Sequence, residues 1–183
     1  MTDYLFPMRP LLATLMAASM AIVATSAMAR GSEIGGSIGL QLLGNTDLVQ
    51  YEMEIRQPLP FSITLGGRVK VTSAVEISLG LARENGVAHS EIGRFALIPE
   101  LIAELHPRLE ILAGIGAGFM GGDGEFTQHG LGGPCFFASK FGLRLPVTPS
   151  WGVALIYYHQ SNGGLYEHNA SLNMQMAGFY YRL

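Results

Sequence analysis

Hydrophobic and polar residues alternate with a period of two along most of the chain. In Leu48–Gln57, Val49, Tyr51, Met53 and Ile55 are interleaved with Gln50, Glu52, Glu54 and Arg56. Phe61, Ile63, Leu65, Val69 and Val71 stand against Ser62, Thr64, Arg68 and Lys70, and Val75, Ile77, Leu79 and Leu81 against Glu76, Ser78, Gly80 and Ala82. The pattern returns at Phe95–Leu105, at Leu109–Phe119 with a Gly-rich polar face, and at Phe137–Leu145. Successive side chains on a strand point to opposite faces, so each segment reads as a β-strand with one apolar and one polar side. Strands are predicted near 33–43, 47–57, 62–84, 90–105, 108–120, 134–145, 151–161 and 170–182. Gly44-Asn45-Thr46-Asp47 reads as a hairpin turn, and 84–88, 106–108, 121–133 and 146–150 read as loops. Pro58-Leu59-Pro60 interrupts pairing, because proline cannot donate to a ladder. The stretch 62–72 is expected to merge with 73–84 into a single strand after an irregular excursion, since no strong turn is evident near Thr72.

The polar face is sparsely charged, of mixed sign, and interleaved with Gly, Ala and Ser. A soluble sandwich or barrel would bury its apolar face and show water a denser, more varied polar one. The pattern instead suits a narrow closed barrel turned outside in. The predicted fold is all-β, an eight-stranded antiparallel transmembrane β-barrel whose apolar face meets lipid. Closure leaves no strand edge unpaired in hydrocarbon. Inside, Glu52, Glu54, Glu100, Glu104 and Glu110 are expected to pair with Arg56, Arg68, Lys70, Lys140 and Arg144. With Leu183 at the periplasmic side, loops 162–169, 121–133 and 84–89 face outward and turns 146–150 and 106–108 face the periplasm, which is the usual asymmetry of such barrels.

Composition adds a compartment. Residues 1–29 read as a signal peptide: Arg9, an apolar run from Leu11 to Ala24, and small residues at Ala27 and Ala29 before a cut. The run is shorter than the ~20 residues of a membrane-spanning helix. Asp3 is unusual in such a segment, which makes Met8 an alternative start. The mature barrel is 30–183. A net charge of −3 without a basic block points away from nucleic acid. Cys135 is the single cysteine, so this exported chain has no internal disulfide.

Candidate chemistry sits at the end of the penultimate strand, in Tyr157-Tyr158-His159-Gln160-Ser161-Asn162-Gly163-Gly164. His159 and Ser161, two apart, share a face with Trp151, Val153, Leu155 and Tyr157, which on the barrel reading is the lipid-facing one. A serine hydroxyl becomes a nucleophile when a base takes its proton, and imidazole suits that role near neutral pH. A third group must orient the imidazole, and donors must meet the oxyanion. Asn162, Gly163 and Gly164 can aim backbone N–H groups, and Asn169 can add a side-chain amide. Spacing alone also fits a chance His-x-Ser in an interfacial polar belt, to which Tyr157, Tyr158, Tyr180 and Tyr181 are assigned.

The run His159-Gln160-Ser161-Asn162-Gly163-Gly164, followed by Asn169-Ala170-Ser171-Leu172-Asn173, resembles the C-terminal signature of the lipid A 3-O-deacylase family of outer-membrane barrels. Phe95–Leu101, with its internal Pro99, and the Gly-rich Leu109–Gly118 extend the resemblance upstream. It implies eight antiparallel strands in the bacterial outer membrane, lipid A or lipopolysaccharide as partner, and hydrolysis of the ester-linked 3-hydroxyacyl chain at position 3, without a metal or other cofactor. It makes Ser161 the nucleophile and His159 the general base, with Asn162, Gly163 and Asn169 lining the oxyanion hole. The family's third member is a glutamate fourteen residues after the histidine, and here that position is Asn173. An amide can orient an imidazole but does not stabilise imidazolium as a carboxylate does, and the exchange cost ~10⁴ in turnover in a serine protease. A slow esterase, recruitment of Glu167 from the loop, and loss of activity all fit this departure. The parity of the last strand is open, because Leu172, Met174 and Met176 compete for the lipid face.

Other motifs have plainer readings. Gly114-x-Gly116-x-Gly118 precedes no helix and is expected to place small residues in the lumen rather than to cradle a nucleotide. His89, His106, His129 and His168 lack metal-ligand spacing. Asp123, Glu125 and His129 in loop 121–133 could touch sugar or phosphate, although a solvated loop suffices. The readings that compete with an esterase are a non-enzymatic outer-membrane barrel of scaffold or adhesion type, and a soluble ligand-binding barrel with a greasy interior.

Overall fold

The computed structural model describes residues 31–42, 47–86, 91–122, 125–126 and 129–183. The predicted signal peptide, most of the turn expected at 44–47, His89, Asp123, and the side chains of Glu125 and His129 lie outside the described residues. Ten strands follow in order: β1 (Glu33–Gln41), β2 (Leu48–Leu65), β3 (Val69–Glu84), β4 (Glu91–His106), β5 (Leu109–Gly122), the two-residue β6 (Glu125–Phe126) and β7 (His129–Gly130), β8 (Cys135–Pro146), β9 (Trp151–Ser161) and β10 (Leu172–Arg182). Eight of them close a barrel in the order β1-β10-β9-β8-β5-β4-β3-β2. Every neighbour is antiparallel, including the closing pair β1 and β10, where Glu33 lies opposite Arg182. β6 and β7 pair only with each other, inside what the sequence suggested was plain loop.

The expectation for 58–84 needs correction. β2 does not stop before the prolines. It slips register between Pro58 and Ser62 and continues to Leu65. The reversal comes at Gly66-Gly67, not near Thr72: φ is 56° and 68° at the two glycines, and Arg68 N–H donates to Leu65 O at 3.1 Å. Two successive positive φ values define the hairpin turn that matches strand twist, and glycine adopts them without a Cβ clash. The stretch therefore supplies the end of β2 and the whole of β3, and the barrel count stays at eight because β2 absorbs the part before the turn.

The faces sort as the alternation requires. Ile115 and Phe119 on β5 are 75% and 62% exposed, and Phe141, Leu143, Leu145, Val153, Leu155 and Phe179 continue a belt around the outside. An apolar surface on this scale is incompatible with water and defines a lipid-facing wall. The lumen holds a buried ionic lattice toward the end where β1 begins and β10 finishes. Arg56 reaches Glu33 (3.1 Å), Glu76 (2.9 Å) and Glu100 (2.5 Å), and Lys140 reaches Glu52 (2.5 Å) and Glu76. Arg94 bonds Glu52 at 2.9 Å and lies 4.2 Å from the centroid of the Tyr158 ring, while Arg144 bonds Glu33 at 2.6 Å. Of the expected interior charges, Arg68, Lys70 and Glu104 are not inside. Arg68 is exposed in the turn between β2 and β3, Lys70 and Glu104 are exposed on the ends of β3 and β4 that project past the barrel, where no opposite wall covers them, and Glu33, Glu76, Arg94 and Arg182 enter the lattice instead.

Toward the other end the lumen turns apolar, with Leu48, Ile92, Phe136, Ile156, Leu172, Met174 and Met176 packed together and capped by Phe126 and Leu131 from the loops. Tyr158 and Tyr180 were assigned to the membrane belt, but both are buried in the lumen because they share parity with Ile156 and Met176. The glycines of β5 face inward where β4 presses closest. A Cβ at Gly116 would lie 2.1 Å from Leu97 O. Gly31, the C-terminal Leu183 and the turns 65–69, 106–109 and 146–151 lie at one end, and the longer connections at the other.

Candidate active site

β9 and β10 present their outward residues side by side at the long-loop end. On β9, Gly152, Ile156, Tyr158 and Gln160 point inward, which turns Tyr157, His159 and Ser161 out. On β10, Leu172, Met174 and Met176 fill the apolar plug, so Asn173 is turned out. The parity that the sequence left open is thus decided by packing: three large apolar side chains take the lumen, and the amide takes the other face.

Register then brings the pair together. Asn173 lies directly opposite His159, and the imidazole Nδ1–H donates to Asn173 Oδ1 at 2.8 Å. The Tyr157 hydroxyl donates to the same oxygen at 2.7 Å. The Asn173 backbone is anchored as well, its N–H on Gln41 Oε1 (3.0 Å) and its carbonyl accepting from Leu42 N–H (2.9 Å). With Nδ1 carrying the ring proton, Nε2 keeps its lone pair. Ser161 lies two residues on along the same face, roughly 6–7 Å of strand away. No hydrogen bond joins it to His159 among the described residues. On β8, Ser139 lies opposite His159, and Phe137 opposite Ser161.

The loop after Ser161 is held by Asn162, which is buried. Its Nδ2 donates to Leu131 O (3.0 Å) and His168 O (2.5 Å), and its Oδ1 accepts from Gly164 N–H (2.8 Å). Its own backbone N–H, expected to face the oxyanion, instead donates to Asn169 Oδ1 at 3.0 Å. The Asn162 backbone donor is therefore taken up by Asn169 Oδ1. What remains for an oxyanion is the Asn169 Nδ2 amide and the N–H of Gly163, a residue at φ 63° whose added Cβ would strike the Phe137 ring at 2.9 Å. Glu167 is exposed on the loop, and the imidazole's hydrogen bond goes to Asn173 rather than to it.

Two residues of this region carried no recognisable signal. Tyr166 accepts a hydrogen bond from Cys135 N–H at 3.1 Å and lies flat on Gly133, so that it ties the loop to the start of β8. Its hydrogen bond to the Cys135 thiol raises the phenol above its ordinary pKa. Tyr157 looked like one more belt aromatic, and only the register shows that its hydroxyl meets Asn173.

Fold and placement together define a class: a membrane barrel of the outer-membrane type with serine, imidazole and amide gathered on its lipid-facing wall. The family profile described as lipid A 3-O-deacylase (PagL) matches residues 68–182, well over half of the sequence. The chain belongs to this lipid A 3-O-deacylase family. Among solved structures it is similar to the outer membrane enzyme PagL, with a TM-score of 0.69, 16% identity, and coverage of 81% of this chain and 97% of that one. A de novo designed transmembrane β-barrel aligns with a TM-score of 0.56 at 12% identity, covering 84% of this chain and 95% of its own. Neisserial surface protein A aligns with a TM-score of 0.54 at 10% identity, covering 83% and 94%. At such identities these likenesses speak for the fold alone. No curated protein sequence matches the chain.

Proposed function

We propose that this chain is an outer-membrane esterase that removes the 3-O-linked 3-hydroxyacyl chain of lipid A, with Ser161 as nucleophile, His159 as general base and Asn173 as the group that orients the base. The observation that carries this reading is the Nδ1···Oδ1 contact of 2.8 Å on the lipid-facing wall beside Ser161. A base held by its neighbour next to a hydroxyl has little structural reason to face hydrocarbon, and a clear chemical one if the substrate is a lipid.

The steps follow from the groups present. Ser161 Oγ attacks the ester carbonyl while its proton passes to His159 Nε2. The oxyanion is met by Asn169 Nδ2 and Gly163 N–H. Collapse of the tetrahedral intermediate breaks the acyl–oxygen bond, and His159 returns the proton to the sugar hydroxyl that leaves. Water, activated by the same imidazole, then releases the 3-hydroxy fatty acid from Ser161. Because the site opens on the wall, the acyl chain stays in the membrane throughout.

Mass spectrometry of lipid A from cells making the protein tests the proposal. Lipid A lacking one 3-hydroxyacyl chain is expected with the intact protein and not with Ser161→Ala. Unchanged lipid A with both, while the protein is folded in the outer membrane, overturns the esterase reading. Asn173 in place of a carboxylate is the one feature that favours the second reading, a barrel of the same family that has lost turnover. N-terminal sequencing of the membrane-embedded protein is expected to begin at Arg30, after cleavage of residues 1–29.

A further inference from the structure

Tyr157 stands on the lipid-facing side of β9, where an aromatic hydroxyl would ordinarily reach for interfacial water. Here it is directed to Asn173 Oδ1 at 2.7 Å, the oxygen that also receives His159 Nδ1 at 2.8 Å. This convergence matters because Asn173 is an amide. A carboxylate offers the ring an oxygen in either orientation. A carboxamide offers oxygen one way round and NH₂ the other, and the two orientations occupy nearly the same volume. With oxygen toward the ring, Nδ1 is protonated and Nε2 is a free base. With NH₂ toward the ring, Nδ1 must accept, the proton moves to Nε2, and the Ser161 proton has no acceptor. Tyr157 breaks this near-degeneracy. The oxygen of a phenol shares its lone pair with the ring, so phenol donates better than it accepts, and it favours the orientation that shows it oxygen.

We propose that Tyr157 is a positioning residue that fixes the Asn173 amide with its oxygen toward the imidazole and so holds His159 in the tautomer that can act as base. The inference rests on the esterase reading for its consequence in rate, but not for its structural content. It assigns a role to a residue that touches neither the ester nor the nucleophile. It also explains how an amide can stand where the family resemblance expects a carboxylate.

The test is a double-mutant cycle of Tyr157→Phe and Asn173→Asp, read in two ways on full-length mature protein in detergent micelles. The first readout is ¹⁵N-histidine NMR of the His159 tautomer, with the resonance assigned by its loss in His159→Gln. The second is the rate of 3-hydroxy fatty acid release from lipid A. With Asn173 present, Tyr157→Phe is expected to shift His159 from the Nδ1–H form to a mixture and to lower kcat by about tenfold, the weight of one hydrogen bond, with KM unchanged. In the Asn173→Asp background the same substitution is expected to leave the tautomer in place and to cost under about twofold, because a carboxylate has no wrong face. An unshifted tautomer in Tyr157→Phe, or equal costs in the two backgrounds, overturns the proposal. If no variant releases fatty acid, the esterase reading fails, while the NMR arm still decides the role of Tyr157.

Discussion

At the scale of single residues, the proposed chemistry turns on Asn173. Its Oδ1 accepts a hydrogen bond from His159 Nδ1–H at 2.8 Å, so the geometry of an orienting group is present and the negative charge is not. In a serine protease, the amide version of such a triad kept its geometry and lost ~10⁴ in turnover. Asn173→Asp restores charge at the same place with almost no change of volume. It is expected to raise the rate of 3-hydroxy fatty acid release by up to ~10⁴-fold, measured as a time course on lipid A in micelles. An unchanged rate would mean that His159 is not the base.

At the scale of elements, the loop from Ser161 to Leu172 is a small structure of its own. Asn162 makes four hydrogen bonds within it and to the neighbouring loop at Leu131, and Tyr166 adds a fifth contact at Cys135. None of these bonds holds the barrel together, since the wall is paired through the ladders of β8, β9 and β10. Asn162→Ala keeps the backbone N–H on Asn169 but releases the Leu131 and His168 carbonyls and the Gly164 N–H, so it is expected to leave the folded barrel intact while it loosens the turn that sets Gly163 and Asn169, the proposed oxyanion donors. Removing one oxyanion donor costs about 10²–10³ in turnover in other hydrolases, and a loss of that order is expected here. Lipid A mass spectrometry gives the activity, and the gel mobility of the unheated protein gives the fold. Loss of the folded form would show instead that the loop supports the barrel.

At the scale of the whole molecule, lumen and exterior obey opposite rules within a single step of the chain. Lys140 is buried among Glu52, Glu54 and Glu76, while its neighbour Phe141 is 57% exposed to lipid. Lys140→Met leaves three carboxylates with one fewer cation and is expected to cost ~3–5 kcal/mol, the usual penalty for breaking a buried ion pair. Phe141→Arg places a charge in hydrocarbon and is expected to cost ~2–4 kcal/mol. Urea titration of folding into lipid vesicles measures both, and Lys140→Met combined with Glu52→Gln should recover part of the first loss. A solvated lumen would show no such penalty for Lys140.

The period-two pattern and the crowding of Gly on one face are local properties, so strand number, closure and the lipid-facing wall could be read from the chain itself. So could the common face of His159 and Ser161, because residues two apart on a strand share a side whatever the fold. The Gly66-Gly67 reversal is equally local, since two adjacent glycines favour a turn, while Pro58 and Pro60 are absorbed by a register slip within β2. Which charges enter the lumen was not local. Lys70 and Glu104 have the right parity, but they lie where the opposite wall has ended, and Arg68 falls in the turn. Nor could alternation place Tyr158 and Tyr180, since an aromatic ring suits a membrane belt and a packed lumen alike. Above all, the meeting of Asn173, His159 and Tyr157 depends on register between strands distant in sequence and on Leu172, Met174 and Met176 claiming the interior. The chain determined by itself that a wall would exist and which side of β9 faced lipid. Only the closed barrel decided what stands beside the imidazole, because side chains on neighbouring strands meet through register, and register is set by the packing of the whole lumen.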